Sequence, residues 1–489
     1  MALKLFNTLS RSIQDFTPSR KGVVGMYCCG PTVYDFAHIG NWRTFVFGDL
    51  VRRTLEFKGL AVTHVMNITD VEDKIIKRVR ENKTSLRDFT GKYEAAFFED
   101  LLTLNCKMPH HTPHATEHIA EIISLIEKLV QRGIAYKAAD GSVYFSIEKY
   151  RGCGCTYGQL LKLNFDEMRA GERVKSDEYA KESVADFALW KARVPEDGDV
   201  FWPSPWGKGR PGWHIECSAM SMKILGPSFD LHVGGEDLIF PHHEDEIAQS
   251  EGATGKPFVK HWLHGAHLLV EGKKMSKSLG NFFTLRDLLA KGFTGREIRY
   301  LLLTAHYRET FNFTLEGLQG ARAALARIDE CLGKLRERAA DVSSAGQTSK
   351  NPVSTVTPSS RNCRQDAGST LLESFSATLD DDLNISAAWA AVFEWVRETN
   401  KRIAESRNGG MSATDAAAAL TAWDKVDSVL GIGTPNEIEV PAELAALLEA
   451  RQAARKAKDF KRADAIRDEL KAKGWVIEDT PKGPKLKKL

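Results

Sequence analysis

Three separated segments of this chain carry the side chains of a divided metal site: Cys29, then Gly212-Trp213-His214-Ile215-Glu216-Cys217, then Phe240-Pro241-His242-His243-Glu244-Asp245-Glu246. Together they offer two thiols, an imidazole and a carboxylate, all ligand types that zinc accepts. His242 and Glu246 stand four residues apart, so on a helix they share a face, and two distant cysteines would complete a tetrahedron. A soft cation held there could recognise a substrate by its thiol. The residues alone read equally well as a buried cysteine beside a solvated helix start, because no compact Cys-x-x-Cys pair is present. Nor do they choose between Cys28 and Cys29, which would point opposite ways on a strand.

A second chemistry lies just after Cys29. The apolar run Val23 to Cys28 is followed by Pro31-Thr32-Val33-Tyr34-Asp35-Phe36-Ala37-His38-Ile39-Gly40-Asn41, then by an amphipathic run through Phe45, Phe47, Leu50 and Val51. Strand, small-residue turn and helix in that order set helix N-terminal amides where they can meet phosphate. Far downstream, Lys273-Lys274-Met275-Ser276-Lys277-Ser278-Leu279-Gly280-Asn281 reads as a flexible basic loop, with the ammonium groups of Lys274 and Lys277 three residues apart. Either feature alone is weak. Together, in a nucleotide-binding α/β pattern, they are a strong signal of phosphate binding.

At this point the chain resembles the class I aminoacyl-tRNA synthetases, whose signatures are His-Ile-Gly-His and Lys-Met-Ser-Lys-Ser. Within the class it is similar to the cysteinyl enzymes, through Met26-Tyr27-Cys28-Cys29-Gly30-Pro31-Thr32-Val33-Tyr34-Asp35, Asn67-Ile68-Thr69-Asp70 and Gly212 to Ser218. Phe229-Asp230-Leu231-His232, Gly234-Gly235-Glu236-Asp237 and Phe240 to Glu244 extend the likeness, which runs over essentially the whole chain. One position departs: Asn41 stands where the signature's second His would be. An amide still donates a hydrogen bond but cannot carry a proton's charge.

The resemblance implies a two-step ligation. The carboxylate of L-cysteine attacks the α-phosphate of ATP, brought as its Mg²⁺ complex, and the adenylate then passes its acyl group to the terminal ribose of tRNA(Cys). Such chemistry needs fixed positive potential rather than a covalent nucleophile. The same resemblance assigns His38, Gly40 and Asn41 to the phosphates and Lys274 and Lys277 to the pyrophosphate, with Lys277 making the decisive transition-state contact. It assigns Gly234, Gly235 and Asp237 to the adenosine, and Thr32, Thr69, Trp213 and His232 to the substrate cysteine. It also selects Cys29, because the family ligand directly precedes the Gly, so that one zinc per chain would be held by Cys29, Cys217, His242 and Glu246. Apolar complementarity separates a thiol poorly from a hydroxyl, whereas a soft metal separates them well. No editing domain is then required. Four protein ligands are equally the mark of a closed structural site, so a catalytic metal would need a fifth position or a loosened Glu246.

The elements that must position these groups follow from the rest of the chain. With 489 residues and 43% hydrophobic content it can bury large cores in several domains. No stretch approaches transmembrane length, and eight cysteines without small-domain spacing suggest a reduced compartment, so the expectation is a cytoplasmic protein with no membrane partner, monomeric as the family implies. The expected fold class is α/β: a Rossmann-type nucleotide-binding catalytic domain over 1–118 and 206–262, split by a connective insertion over 119–205 that faces the tRNA acceptor end. The Lys-Met-Ser-Lys-Ser loop and stem-contact region would span 263–314, and a helical bundle 315–436, containing a disordered linker over 343–369. The charged run Asp166 to Glu182 is expected to be exposed.

A last module, 437–489, is the expected anticodon-binding part. From Arg451 to Leu489 there are 13 Lys and Arg against six Asp and Glu, a surplus of seven that leaves the remainder of the +2 chain at −5. A basic tail on a mildly acidic body favours a phosphate-backbone partner. Phe460 and Trp475 are interleaved among the charges and could stack on unpaired bases. By resemblance, Arg455, Phe460, Asp464 and Asp479 are the candidates for anticodon contact. Two other readings compete: an ATP-dependent ligase joining cysteine to an amino sugar, which would not need this module, and a non-catalytic tRNA-binding paralogue, which would not need the intact lysines and ligands.

Overall fold

A computed structural model describes residues 2–161, 186–345, 367–405, 410–433, 442–457, 459–473, 475–480 and 483–488. The run Asp166 to Glu182 lies outside the described residues, as does the expected linker apart from its ends. Those ends, 343–345 and 367–369, close the helix Leu315–Ala345 and open the helix Ala367–Asp380. The chain divides into two compact units, Met1–Ile432 and Gly433–Leu489.

The centre of the first unit is a four-stranded parallel sheet built from β1 (Val23–Cys28), β2 (Ala61–Met66), β3 (Phe229–Gly235) and β4 (Val259–Gly265), in the order β4-β3-β1-β2. These strands are buried along most of their length, as strands covered on both faces must be, even where β3 and β4 carry Asp230, His232, His261 and His264. β1 runs through α1 (Ile39–Phe57) to β2 on one side, and on its other side it meets β3, about 200 residues away in sequence, in the register Tyr27↔His232. The direction of winding therefore reverses between β1 and β3. Ligands of open α/β sheets bind at such a reversal, outside the carboxyl ends of the strands.

The residues between the halves form an antiparallel four-stranded sheet of Ala135–Lys137, Val143–Phe145, Phe187–Ala192 and Gly209–Pro211. Its apolar face shares a core with α2 (Trp213–Leu225) and α3 (Glu244–Thr254) through Phe145, Leu189, Ile215, Ala219 and Ala248. These two helices are thus clamped between two sheets, and both carry candidate metal ligands.

α1 is held at mid-length by charge. Buried Asp49 accepts hydrogen bonds from Arg53 Nε at 2.7 Å, Arg299 Nη2 at 2.6 Å and the Lys107 amide at 2.8 Å. Arg299, wholly buried, also donates to the Leu430 carbonyl at 2.6 Å, and Arg53 donates to the Ser428 carbonyl at 2.9 Å. Asn105 takes the Gly431 carbonyl and Arg296 that of Ile432. Two carbonyls of the last turn of the helix Ala413–Leu430, which no residue further along the helix can satisfy, and the two that follow it are therefore met by side chains from the rest of the unit. Three more helices, Leu315–Ala345, Ala367–Asp380 and Ile385–Ala404, join that helix and the sheet in one apolar core.

The second unit has its own small core of Leu444, Ile466, Leu470 and Trp475, formed by the helices Ala442–Lys456 and Phe460–Ala472 and a hairpin of Trp475–Thr480 and Gly483–Lys488. Among the described residues, no helix is long and apolar enough to cross a membrane.

Candidate metal centre and nucleotide-binding loops

Cys29 follows β1 directly, Cys217 lies in the second turn of α2, and Glu246 lies in the first turn of α3. One donor atom from each of Cys29, Cys217, His242 and Glu246 lies within 4.8 Å of all the others. His242 Nε2 is 3.0 Å from Glu246 Oε1, and Cys29 Sγ is 3.8 Å from the same oxygen. His242 and Glu246 do not share one regular helix: His242 sits in a wide turn, Ile239–His243, with Phe240 in extended conformation before α3 begins. Pro241 has no N–H to offer a regular helix at that point. Cys28 faces the opposite way, against Gly48 of α1, where burial pushes its thiol well up.

The cluster is buried and already balances charge. Burial would raise the Glu246 carboxyl, but His232 and His242 beside it hold it at about 2. Burial would lower the His242 imidazole, but Cys217 and Glu246 push it up to about 10. A hydrogen bond from Cys29 brings Cys217 down to about 6 against the effect of burial, while burial and Cys217 together raise Cys29. The pocket thus gathers a thiolate and a carboxylate around one positive charge. That donor chemistry fits a soft divalent cation.

Behind this layer is a second one, of which the sequence singles out only His232, and that for the substrate cysteine rather than for Glu246. His232, fully buried, is 2.9 Å from the other Glu246 oxygen and stacks on Trp262 at 4.4 Å. His243 Nε2 is 3.4 Å from Cys29 Sγ, and its Nδ1 is 2.8 Å from His264 Nε2, whose Nδ1 reaches Thr8 at 2.7 Å. Such outer partners fix the orientation of ligands. His243 stood inside a recognised motif, but nothing in its spacing distinguished it from His242. His264 carried no signal.

The residues assigned to substrate cysteine come from four separate segments. Thr32 and Thr69 are bridged in parallel, with the Val33 amide donating to the Thr69 carbonyl at 3.1 Å. Gly30 makes this possible: its amide donates to Asn67 Oδ1 at 2.9 Å, and a Cβ on it would fall 1.7 Å from the Asn67 carbonyl oxygen. Trp213 is 38% exposed and lies over the His242 ring at 4.4 Å. Three residues on, Glu216 is buried with neither carboxylate oxygen hydrogen-bonded, and burial with nearby Cys217 and Asp70 pushes its carboxyl well up. His232 is committed to Glu246.

His38 and Asn41 close the start of α1. The Asn41 amide donates to His38 Nδ1 at 3.2 Å and the His38 amide donates to Asn41 Oδ1 at 3.1 Å, a reciprocal cap. Asn41 is thus a capping partner for His38, a role visible only once the helix start is fixed. The lysine loop leans on the same point: a Cβ on Gly40 would lie 2.7 Å from Met275 Cε, and the Ile39 amide donates to the Phe283 carbonyl at 2.9 Å. Asn281 ties the loop together, accepting from the Ser276 amide at 2.9 Å and donating to the Val270 and Lys274 carbonyls. Lys274 is exposed, and Lys277 begins the short turn Lys277–Leu279. Gly234 and Gly235 end β3, and Asp237 occupies the next turn, near enough to favour the His38 cation, although burial lowers that imidazole on balance.

In the second unit, Arg455 is exposed near the end of its helix and Asp464 is exposed, 3.3 Å from Arg467. Phe460 opens the helix Phe460–Ala472, and Asp479 lies in the strand Trp475–Thr480. Trp475 does not present a free face: it is 6% exposed and fills the core of the unit. So small a unit needs its largest apolar side chain inside.

Comparison with known proteins bears on the same segments. Residues 15–323 match the description "tRNA synthetases class I (C) catalytic domain", 374–434 match "DALR domain", and 438–484 match "Cysteinyl-tRNA ligase anticodon binding domain". A cysteine–tRNA ligase of Chlamydia muridarum is 48% identical over 495 residues, covering 100% of both chains. One of Protochlamydia amoebophila is 44% identical over 491 residues, covering 99% of this chain and 98% of its own. Among solved structures, methionyl-tRNA synthetase of Mycobacterium tuberculosis with methionyl-adenylate has a TM-score of 0.57 at 15% identity, covering 84% of this chain and 90% of that one. A leucyl-tRNA synthetase complex of Agrobacterium radiobacter has 0.58 at 11%, covering 85% of each. The two structures show a shared fold, and the full-length likeness to the ligases, together with the catalytic-domain match, shows that this chain belongs to the cysteinyl-tRNA synthetases, a class I aminoacyl-tRNA synthetase family.

Proposed function

We propose that this chain activates L-cysteine with ATP at the carboxyl ends of β1 and β3 and transfers the cysteinyl group to tRNA(Cys). The observation that carries the reading is the juxtaposition of a four-donor metal cluster with the His38 cap and the lysine loop at one sheet reversal. The amino-sugar ligase and the non-catalytic paralogue are not favoured by relatives that match along the full length.

Cys29, Cys217, His242 and Glu246 would hold one zinc, which when bound supplies a soft Lewis acid that prefers sulfur to oxygen. Thr32, Thr69 and Trp213 would line the amino-acid pocket and keep water from it. His38, fixed by Asn41, would bind a phosphate oxygen beside the first amides of α1. Gly234 and Gly235 would let the adenine approach the end of β3 while Asp237 accepts from the ribose. Lys274 and Lys277 would draw the charge of departing pyrophosphate as their loop closes. Arg455, Phe460, Asp464 and Asp479 would face the anticodon.

Cysteine-dependent exchange of pyrophosphate into ATP tests activation, and charging of tRNA(Cys) tests transfer. Both are expected, with serine inactive in exchange. Exchange without charging would favour a small-molecule ligase, and absence of both would overturn the reading.

A further inference from the structure

Glu216 is the anomaly of this site. Its side chain is 1% exposed and neither oxygen has a hydrogen-bond partner. Leaving an isolated carboxylate out of water without a partner is costly. The neighbouring buried carboxylates are all engaged: Glu244 with three backbone amides, Asp245 with Tyr157 and His214, Glu246 with His232 and His242, Asp70 with Thr116.

Its position is informative. Glu216 and Cys217 lie three and four residues beyond Trp213 along α2, so all three share a side of the helix. Met220, one turn beyond Glu216, rests against Val71, Ile76 and Ala115, so this side faces the segment just after Thr69. Glu216 thus lies near a metal-cluster thiol and the Thr69–Val71 segment, with Cys217 and Asp70 both close enough to act on its charge. Glu216 is itself 1% exposed, but Trp213 on the same side of the helix is 38% exposed and Cys29 across the cluster is half-buried, so the layer opens to solvent beside it.

We propose that Glu216 accepts the α-ammonium group of the amino-acid substrate. This rests on the reading of the pocket as a cysteine-activating one. In cysteine the sulfur and the ammonium sit on neighbouring carbons, and a ligand whose sulfur approaches the metal beside Cys217 carries its ammonium toward the adjacent residue. The ammonium supplies the countercharge that the fold leaves missing, and the carboxylate supplies a charged acceptor that Thr32 and Thr69 cannot. A ligand with the thiol but no ammonium leaves Glu216 buried and alone, so the arrangement selects amino acids among thiols.

The test uses the zinc-loaded full-length protein, with cysteine, cysteamine (thiol and ammonium) and 3-mercaptopropionate (thiol and carboxylate) as probes. Affinity is read as the KM of cysteine in pyrophosphate exchange and as inhibition constants for the other two. Glu216→Gln should weaken cysteine and cysteamine by about 10- to 100-fold, the range expected for losing a hydrogen bond to a charged group. It should leave 3-mercaptopropionate within about twofold and zinc content unchanged. Should that variant not fold, Glu216→Asp, which keeps the charge but retracts it, should weaken only the two ammonium-bearing probes. Equal weakening of all three probes, or of none, overturns the proposal. A wild type that exchanges with cysteine but binds 3-mercaptopropionate as tightly as cysteamine overturns it while the activity stands. A wild type without cysteine-dependent exchange overturns both.

Discussion

Glu246 offers one oxygen to His242 and the other to His232, so the orientation of this candidate ligand depends on an imidazole behind it. His232→Phe keeps the stack on Trp262 but removes that hydrogen bond, and metal affinity measured by competition with a chelator should fall by about 10- to 100-fold. Cys217→Ser should lose zinc and cysteine affinity together, while Cys28→Ser should keep full zinc by metal analysis. Loss of zinc from Cys28→Ser with retention in Cys29→Ser would move the ligand to the other cysteine. The four cluster residues were legible because each is a type with metal chemistry inside a recognisable motif. His243, His264 and Glu216 were not, because their importance lies in which atoms they meet, and residue type carries no trace of that. Trp475 shows the reverse error, since an aromatic among charges can be the core of a small unit as easily as a stacking platform.

At the scale of elements, the strand-turn-helix of β1 and α1 was readable from apolar runs and a small-residue turn, and Val23–Cys28 has the bounds those runs imply. The wide turn before α3 was not, because spacing of four predicts one helical face and Pro241 interrupts it. The reciprocal His38–Asn41 cap makes a specific prediction. Asn41→Ala should cost about 1 kcal/mol of stability, as other cap losses do, and should raise the KM for ATP more than that for cysteine. The lysine loop leans on the same helix start through Met275 and is tied internally by Asn281. Lys277→Ala should slow single-turnover adenylation by roughly 2–4 kcal/mol of barrier while the ATP dissociation constant moves little. A change confined to that constant would make the loop a binding clamp only.

For the whole molecule, the division at Ile432 predicts that a chain ending there folds and retains cysteine-dependent exchange while charging of tRNA falls sharply. Normal charging by the shortened chain would refute an anticodon role for the second unit. Acid should weaken the whole fold through His64, whose imidazole lies in the core and is pushed down to about 3 by burial and by Arg52. The unfolded chain takes up a proton there as pH falls below about 6.5, whereas the folded one does not until about 3. Stability is therefore lost on acidification through that window, by at most about 1.4 kcal/mol per pH unit for one proton, and His64→Leu should flatten the slope in urea titrations at several pH values.

The guanidinium and amide groups that seize the carbonyls of residues 428 to 432 have a further consequence. A helix end normally frays, and a sequence fused to it inherits that looseness. Here the last turn is stapled to α1 and to the segment around Asn105, so the catalytic body finishes in a rigid peg. A foreign recognition module spliced after Ile432 would start from a fixed base, and the choice of nucleic acid could be exchanged without rebuilding the chemistry.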